Sequence, residues 1–218
     1  MHTYVLDAGS DDHTVQFARG AGASVEQRDW TDFFDARTYA LSRVATPWVL
    51  MIDADEALDD VLRDAIVSAS PEKDAYRVKR TTYFCGKPMR IWRNEPLIRL
   101  FQKGRARLEA HPAASESAPV HEGWSSEGSV ADLPGTMLHY SYPDVATYRA
   151  KYDRYTTLEA ASMERSFVRW LTACGTSVVR MIWLLVGRGA LLDGPRGWYV
   201  AYRSATYPAI AARKALFG

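Results

Sequence analysis

Two carboxylates separated by one residue, Asp53 and Asp55, follow directly on the apolar run 48–52. A buried strand that ends there would aim both side chains into the loop that comes next. Hard cations such as Mg²⁺ and Mn²⁺ take oxygen ligands and retain water, so one or two carboxylates with ligand phosphates can hold them. The pattern favours a cation and phosphate site. A solvated loop that carries helix N-terminal acids is the alternative.

A second acidic turn follows the short apolar run 4–6. Asp7 stands at the end of that run, and Gly9 permits a tight turn two residues later. A carboxylate in this place can accept hydrogen bonds from a ribose or a base. The alternative is an ordinary turn between a strand and a helix.

Two further residues could carry chemistry. Glu122 lies beside His121, and a Glu in a loop can act as a general base if its neighbours hold it. His139 stands in the aromatic segment 138–142. A surface His–Glu pair and a core or capping histidine are the respective structural alternatives.

The elements that must position these residues alternate between strand and helix. Apolar runs predict strands, and three- to four-residue spacing predicts helices. The N-terminal pattern predicts strands at 4–6, 24–27 and 48–52 and helices at about 14–21, 33–44 and 58–66. The middle predicts short strands at 76–84, 97–102 and 137–140, and helices dominate from 144, at about 167–185 and 198–216. This rhythm is typical of α/β proteins, in which ligands bind beyond the carboxyl ends of strands, where Asp7 and Asp53 stand.

Composition and charge narrow the class of protein. The chain has 218 residues, 47% hydrophobic and 24% charged, which excludes a disordered or fibrous protein. A net charge of +1 argues against a nucleic-acid binder. The charge is unevenly spread, because residues 165–218 hold seven Arg and one Lys against Asp193, or +7, which leaves −6 for the rest. We interpret this distribution as an acidic body with a basic end that faces a membrane or a partner.

Cysteine content and hydropathy indicate a reduced, cytoplasmic setting. The two cysteines, Cys85 and Cys174, are too few for a chain of this length to be stabilised mainly by disulfide bonds. The N-terminus lacks the basic region of a secretory signal. The most apolar stretch, 181–186, is closed by Arg180 and Arg188, so the sequence predicts no transmembrane helix.

An ordered set of motifs covers nearly the whole chain. It resembles the family 2 glycosyltransferases, in the branch of the bacterial lipopolysaccharide inner-core β-glucosyltransferases and related envelope enzymes. The matching segments are Tyr4–Thr14, Trp48–Glu56, Tyr83–Lys87, Ile98–Phe101, Val120–Glu122, Leu138–Tyr142, Lys151–Thr156 and Leu192–Gly197.

The resemblance implies a GT-A-like fold, a mixed sheet flanked by helices, and a C-terminal helical extension. It implies inverting transfer of a sugar from a nucleotide-sugar donor to a lipopolysaccharide-core or other lipid-linked acceptor, with Mn²⁺ or Mg²⁺ as cofactor. By the same resemblance the site residues are Asp7, Arg37 and Asp53 for the donor, Asp55 and His139 for the metal, and Glu122 as the catalytic base.

The chain is expected to divide into a catalytic domain at 1–142 and a basic helical extension at 143–218. The family pattern usually begins about thirty residues earlier, so the resemblance implies that a first strand is lacking and leaves a sheet edge open. Asp11, His13 and Thr38 also replace the Thr, Gly and Asn that are usual in the family. These departures concern donor binding more than the fold.

Further expectations concern location and partners. The basic helices would bring the protein to the inner face of the cytoplasmic membrane, and an open sheet edge would favour a homodimer. Transfer to a polyprenyl phosphate is one alternative. The other is a non-catalytic, degenerate domain that docks at the membrane or on a partner. The sugar, the nucleotide and the acceptor stay open.

Overall fold

The computed structural model describes residues 2–111 and 121–218, with the backbone alone at positions 110, 111, 121 and 122. In these ranges the chain forms ten strands and six α-helices. The strands are β1 Tyr4–Asp7, β2 Ser24–Gln27, β3 Trp48–Leu50, β4 Glu56–Leu58, β5 Ala75–Phe84, β6 Lys87–Pro88, β7 Glu95–Gln102, β8 Arg107–His111, β9 His121–Ser125 and β10 Val130–Tyr142. The helices are α1 Thr14–Gly20, α2 Phe33–Arg43, α3 Asp60–Val67, α4 Val145–Ser162, α5 Phe167–Ile182 and α6 Gly194–Phe217. Single 3₁₀ turns occupy Arg90–Trp92 and Ala190–Asp193, and a π-helical turn at Trp183–Gly187 prolongs α5.

A mixed six-stranded sheet forms the body of the molecule. Its strands run in the order β3, β7, β5, β10, β4, and the short β6 pairs with the end of β5. The pair β5–β10 is parallel, and the other pairs of this sheet are antiparallel. The predicted α/β class is confirmed: a GT-A-like mixed sheet flanked by helices, with a helical C-terminal region.

The N-terminal unit pairs differently from the strand–helix rhythm. In the described residues β1 and β2 form a parallel two-stranded sheet of their own, while β3 pairs with β7 in the main sheet. Periodicity predicts that a strand exists, but its partner depends on contacts between distant segments. The three strands are therefore found where the sequence predicts them, without forming one sheet.

Helix α3 covers one face of the main sheet. Leu62, fully buried on α3, packs with Val78 of β5 and Met137 of β10. The helix begins at Asp59, whose side chain accepts a hydrogen bond from the Leu62 amide at 2.7 Å. The sequence predicts that this helix starts at residue 58, and this is wrong. Residues Glu56–Leu58 form strand β4, which pairs with β10 before the helix begins.

The C-terminal helices share a hydrophobic core with the sheet region. Phe84 at the end of β5 and Ile91 in the turn that follows β6 join a cluster with Tyr148 of α4 and Val200 of α6. The carboxylate of Asp193 accepts a hydrogen bond from the Arg90 amide at 2.8 Å across the same junction. The division at residue 142 stays a prediction, although the helical region itself is observed.

Helix α5 bears on the expectation that no helix crosses a membrane. Together with its π turn it spans Phe167–Gly187, long and apolar enough by length and composition to cross a membrane, with 11% of its most apolar window buried. The apolar stretch predicted from the sequence ends at Arg180, whereas the helix continues through that residue with apolar residues on both sides. Length and composition alone do not separate a membrane span from a surface helix.

Candidate functional site

The acidic loop after β3 is fixed by hydrogen bonds to β7 and β10, the strands on either side of β5. The Met51 amide donates to the carbonyl of Arg99 on β7 at 2.8 Å, and the Tyr140 amide of β10 donates to the carbonyl of Asp55 at 2.8 Å. Within the loop, the Glu56 amide donates to the Asp53 carbonyl, and the Glu56 carboxylate accepts from the Asp53 amide, both at 3.0 Å. These bonds hold the direction of both aspartates.

Asp53 is engaged by two guanidinium groups. Arg37 of α2 donates to its carboxylate at 3.0 Å, and Arg99 of β7 does so at 3.1 Å. Burial disfavours the charged carboxylate, but the charges of Arg99 and Arg37 outweigh it, so the pKa of Asp53 is lowered. Arg37 is therefore brought to the Asp53 carboxylate.

A buried ion-pair network extends from Asp53 into the sheet. The Glu56 side chain is fully buried, accepts from Arg99 at 2.7 Å and contacts Arg80 of β5 at 3.4 Å. Arg80 also pairs with Glu95 at 2.7 Å. The motifs contain Glu56 and Arg99, but sequence reasoning gave neither a role. The available signal was an arginine inside the apolar strand Leu97–Phe101, since such a charge needs an acidic partner when it is buried.

Asp55 faces a different partner. One Asp55 oxygen lies 3.3 Å from Nε2 of His139 on β10, and Nδ1 of His139 lies 3.0 Å from the Thr82 hydroxyl of β5. The hydrogen bond with His139 lowers the pKa of Asp55 against its partial burial. The Asp55 side chain is 40% exposed, so its carboxylate is open to solvent as well as to the histidine.

The Asp55–His139 pair fits a divalent cation that takes further ligands from a bound molecule. A carboxylate oxygen and an imidazole nitrogen suit Mn²⁺, and a cation bound through phosphates needs few protein ligands. The described residues contain no group of three or more His, Cys, Asp or Glu side chains placed to hold a metal. Any cation here would therefore depend on phosphate and water oxygens.

Asp7 shapes the turn at the end of β1. Its buried carboxylate accepts hydrogen bonds from the amides of Gly9 and Ser10 at 3.1 Å each, and from Gln27 of β2 at 3.0 Å. The Ser10 hydroxyl donates to it as well, and these bonds, with that of Ser10 first, lower the pKa of Asp7 to about 2. Gly9 has a φ of +91°, which only glycine adopts without strain. These bonds hold the Asp7 carboxylate in this turn, and its role in donor binding stays a prediction.

A small hollow lies beside the Asp7 turn. It is lined by Leu6 of β1, Ala8 of the turn, Arg28 and Trp30 of the segment leading into α2, and Asp35 in the first turn of α2. An aromatic ring next to polar groups is the kind of surface on which a nucleotide base can rest. The hollow lies at the end of β1, where the sequence predicts donor contacts, and donor binding there stays a prediction.

The proposed base, Glu122, lies in β9. Its backbone is paired with Ala110 of β8 in an antiparallel ladder. Its side chain lies outside the described residues, so its assignment as base stays a prediction. The structure brings Arg37 to Asp53 and His139 to Asp55, and the roles of all four in donor and metal binding also stay predictions.

Comparison with known proteins agrees with the motif set. No protein-family model matches the sequence. The lipopolysaccharide core biosynthesis glycosyltransferase LpsC of Rhizobium meliloti is 29% identical over 96% of this chain and 80% of its own length. An uncharacterized glycosyltransferase of Rickettsia prowazekii is 28% identical over 73% of this chain and 58% of its own, and one of Rickettsia conorii is 39% identical over 73% and 60%. The chain thus spans about three-fifths of the length of the Rickettsia relatives. The predicted resemblance to glycosyltransferases, and to the lipopolysaccharide-core branch among them, is confirmed.

Proposed function

We propose that this protein is a metal-dependent, inverting glycosyltransferase of the family 2 type. It transfers a sugar from a nucleotide-sugar donor to a lipopolysaccharide-core or other lipid-linked envelope acceptor. The observation that supports this best is the loop after β3, where Asp55 is paired with His139 on an open rim while Asp53 is held by Arg37 and Arg99. The name of the Rhizobium relative agrees with the acceptor class.

The residues of this loop would have separate roles in donor binding. Asp55 and His139 would hold Mn²⁺ or Mg²⁺, which supplies positive charge to the leaving diphosphate when bound. Arg37 and Arg99 fix the Asp53 carboxylate, so that this side chain has one orientation before the donor arrives. The turn held by Asp7 and the hollow beside it would receive the nucleotide.

Glu122 is the proposed base. A carboxylate that takes the proton of the acceptor hydroxyl strengthens the attacking oxygen, and attack from the side opposite the leaving diphosphate inverts the anomeric carbon. General base catalysis of this kind contributes about 10²- to 10⁴-fold in rate.

The test is donor turnover with Mn²⁺ and with Mg²⁺. Asp55→Ala is expected to lower turnover by more than about 10-fold because one of two protein ligands is removed. Glu122→Ala is expected to lower it by about 10²- to 10⁴-fold. Asp60→Ala and Glu127→Ala are matched controls, since both side chains are almost fully exposed, and both should keep wild-type turnover. Full turnover in Asp55→Ala and Glu122→Ala would refute the site assignment.

Calorimetry with a nucleoside diphosphate separates this function from a non-catalytic docking module. A transferase should bind the nucleotide more tightly with Mn²⁺ than without it, and Asp55→Ala should remove that difference. Absence of nucleotide binding under both conditions would favour the docking module. A homodimer and the peripheral membrane location stay predictions of the sequence.

A further inference from the structure

Lys151 of α4 is a half-buried cation beside the acidic loop. Its ammonium donates to the carbonyl of Ser141 at 3.0 Å and to the hydroxyl of the same residue at 3.1 Å. Ser141 directly follows Tyr140, whose amide donates to the carbonyl of Asp55. The ammonium is therefore attached to β10 next to the place where this strand holds the acidic loop.

The charge of Lys151 is not balanced by a carboxylate. In the parts of the chain that the structure describes, no Asp or Glu oxygen forms an ion pair with it, and its other close neighbour is the Tyr142 ring, with the ring centre 5.4 Å away. An ammonium has three donors, and the two bonds to Ser141 leave one of them. The arginines of the neighbouring network, by contrast, all pair with carboxylates; they are Arg37, Arg80 and Arg99.

The position of Lys151 suits a ligand with two linked phosphates. Its charge acts on Asp55, because the hydrogen bond with His139 is the main cause of the lowered pKa of that carboxyl and the charge of Lys151 lowers it further. Ser141, to which the ammonium is bound, stands two residues beyond His139, or about 7 Å along β10. A single phosphate group is smaller than this separation, whereas a diphosphate can contact both places.

We propose that Lys151 is a catalytic residue that donates to the diphosphate of the donor, beside the Asp55–His139 pair. This inference rests on the proposed transferase function. In the transfer, the bond between the anomeric carbon and the phosphate oxygen breaks, and its electron pair stays on the diphosphate. The acceptor oxygen bonds to that carbon, and its proton passes to Glu122. An ammonium held in place by Ser141 stabilises the negative charge that develops on the diphosphate.

The experiment is calorimetry of the full chain with uridine, guanosine, cytidine and thymidine diphosphates and with their monophosphates. Wild type should bind one of the diphosphates more tightly than the matching monophosphate. Lys151→Gln removes the charge and should weaken diphosphate binding by about 10- to 100-fold, which is the loss of one hydrogen bond to a charged group. Monophosphate binding should stay nearly unchanged. The variant should still bind the diphosphate more tightly with Mn²⁺ than without it, which separates the role of Lys151 from that of Asp55.

Two further variants control for charge and for folding. Lys151→Arg keeps the positive charge and should recover at least part of the preference for the diphosphate. Lys79→Gln removes the same charge from an exposed position on β5 and should bind as wild type does. If Lys151 only fastens α4 to β10, Lys151→Gln would lower the unfolding temperature and leave the ratio of diphosphate to monophosphate affinity at the wild-type value. That result would overturn the proposal.

Acetylation of the wild-type chain gives a second measurement that needs no variant. Acetic anhydride should modify Lys151 more slowly when the diphosphate is bound, and the monophosphate should protect it much less. Lys79 should react equally in all samples. Equal modification of Lys151 with and without bound diphosphate would overturn its role and leave the transferase function intact. Absence of any nucleotide binding by wild type would refute that function together with the role of Lys151.

Discussion

At the scale of single residues, Asp53 and Asp55 are separated by one position but have different surroundings. Asp53 faces two guanidinium groups, so its charge is balanced inside the protein. Asp55 meets one histidine and solvent, so its carboxylate can accept a cation. We therefore expect Asp55 to carry the metal dependence and Asp53 to order the loop.

The lowered pKa of Asp7 leads to a prediction about how the stability of the fold depends on pH. Its folded-state pKa of about 2 lies below the ordinary value of 3.8, so its contribution to stability is complete above about pH 4 and is lost as the pH falls towards 2. Asp7→Asn should lower the unfolding temperature at pH 7, and the gap between variant and wild type should shrink at pH 2.5. Thermal denaturation at both pH values measures it, and a gap that does not change with pH would contradict the assignment.

The position of Arg99 in the buried ion-pair network leads to a prediction about stability. Arg99→Met leaves the fully buried Glu56 carboxylate with one longer ion pair, to Arg80, besides the Asp53 amide, so the free energy of unfolding should fall by about 3–5 kcal/mol. Adding Glu56→Gln should restore part of that loss, because the uncompensated charge is then removed.

Arg77 of β5 provides the matched control for Arg99, since it pairs with Asp132 at an exposed site. Arg77→Met should change the free energy of unfolding by less than about 1 kcal/mol in urea denaturation. Equal effects of Arg77→Met and Arg99→Met would show that the network contributes no more than a surface pair.

Sequence reasoning located the acidic loop but not the network that holds it. The strand-end position of Asp53 and Asp55 follows from the apolar run before them. The partners of Asp53, by contrast, come from α2 and β7, 16 residues before and 46 residues after it. Contacts over such separations depend on strand order, which a single sequence does not determine.

At the scale of elements, local signals predicted most helices and strands, and the errors have local causes. The sequence predicts the last helix from about residue 198, but Pro195 already lies in the first turn of α6, where no amide donor is needed. Asp59 caps α3, which explains why Glu56–Leu58 is a strand instead of the first turn of a helix. Capping residues would have corrected that boundary.

The packing of α6 against the preceding turn makes a prediction about Gly197. A Cβ there would lie 1.8 Å from the carbonyl oxygen of Ala190, and this backbone atom cannot move alone. Gly197→Ala should therefore lower the free energy of unfolding by about 3 kcal/mol or more.

Gly175 of α5 is the control, because a Cβ there meets no atom within 4 Å. Gly175→Ala should leave stability unchanged or raise it by up to about 1 kcal/mol through helix propensity. Urea denaturation of both variants measures the difference. Similar stabilities would mean that α6 does not approach the Ala190 turn as closely as described.

At the scale of the whole molecule, the predicted division at residue 142 crosses a continuous core. Phe84 of the sheet region packs edge-on against Tyr148 of α4 at 5.4 Å between ring centres and stacks near Tyr199 of α6 at 6.0 Å. Arg188 also donates to the Ile91 carbonyl at 2.8 Å across the junction. The two regions should therefore unfold together, even if their sequences differ in charge and function.

Phe84→Ala tests this coupling, because the side chain is almost fully buried between both regions. The free energy of unfolding should fall by about 3–5 kcal/mol, and tryptophan fluorescence and far-UV circular dichroism should still report one coincident transition. Phe17→Ala is the control, since that ring is 73% exposed, and it should change stability by less than about 0.5 kcal/mol. Two separate transitions, with the helical one unaffected by Phe84→Ala, would instead establish independent units, and the basic helices could then bind a membrane without changing the stability of the acidic loop.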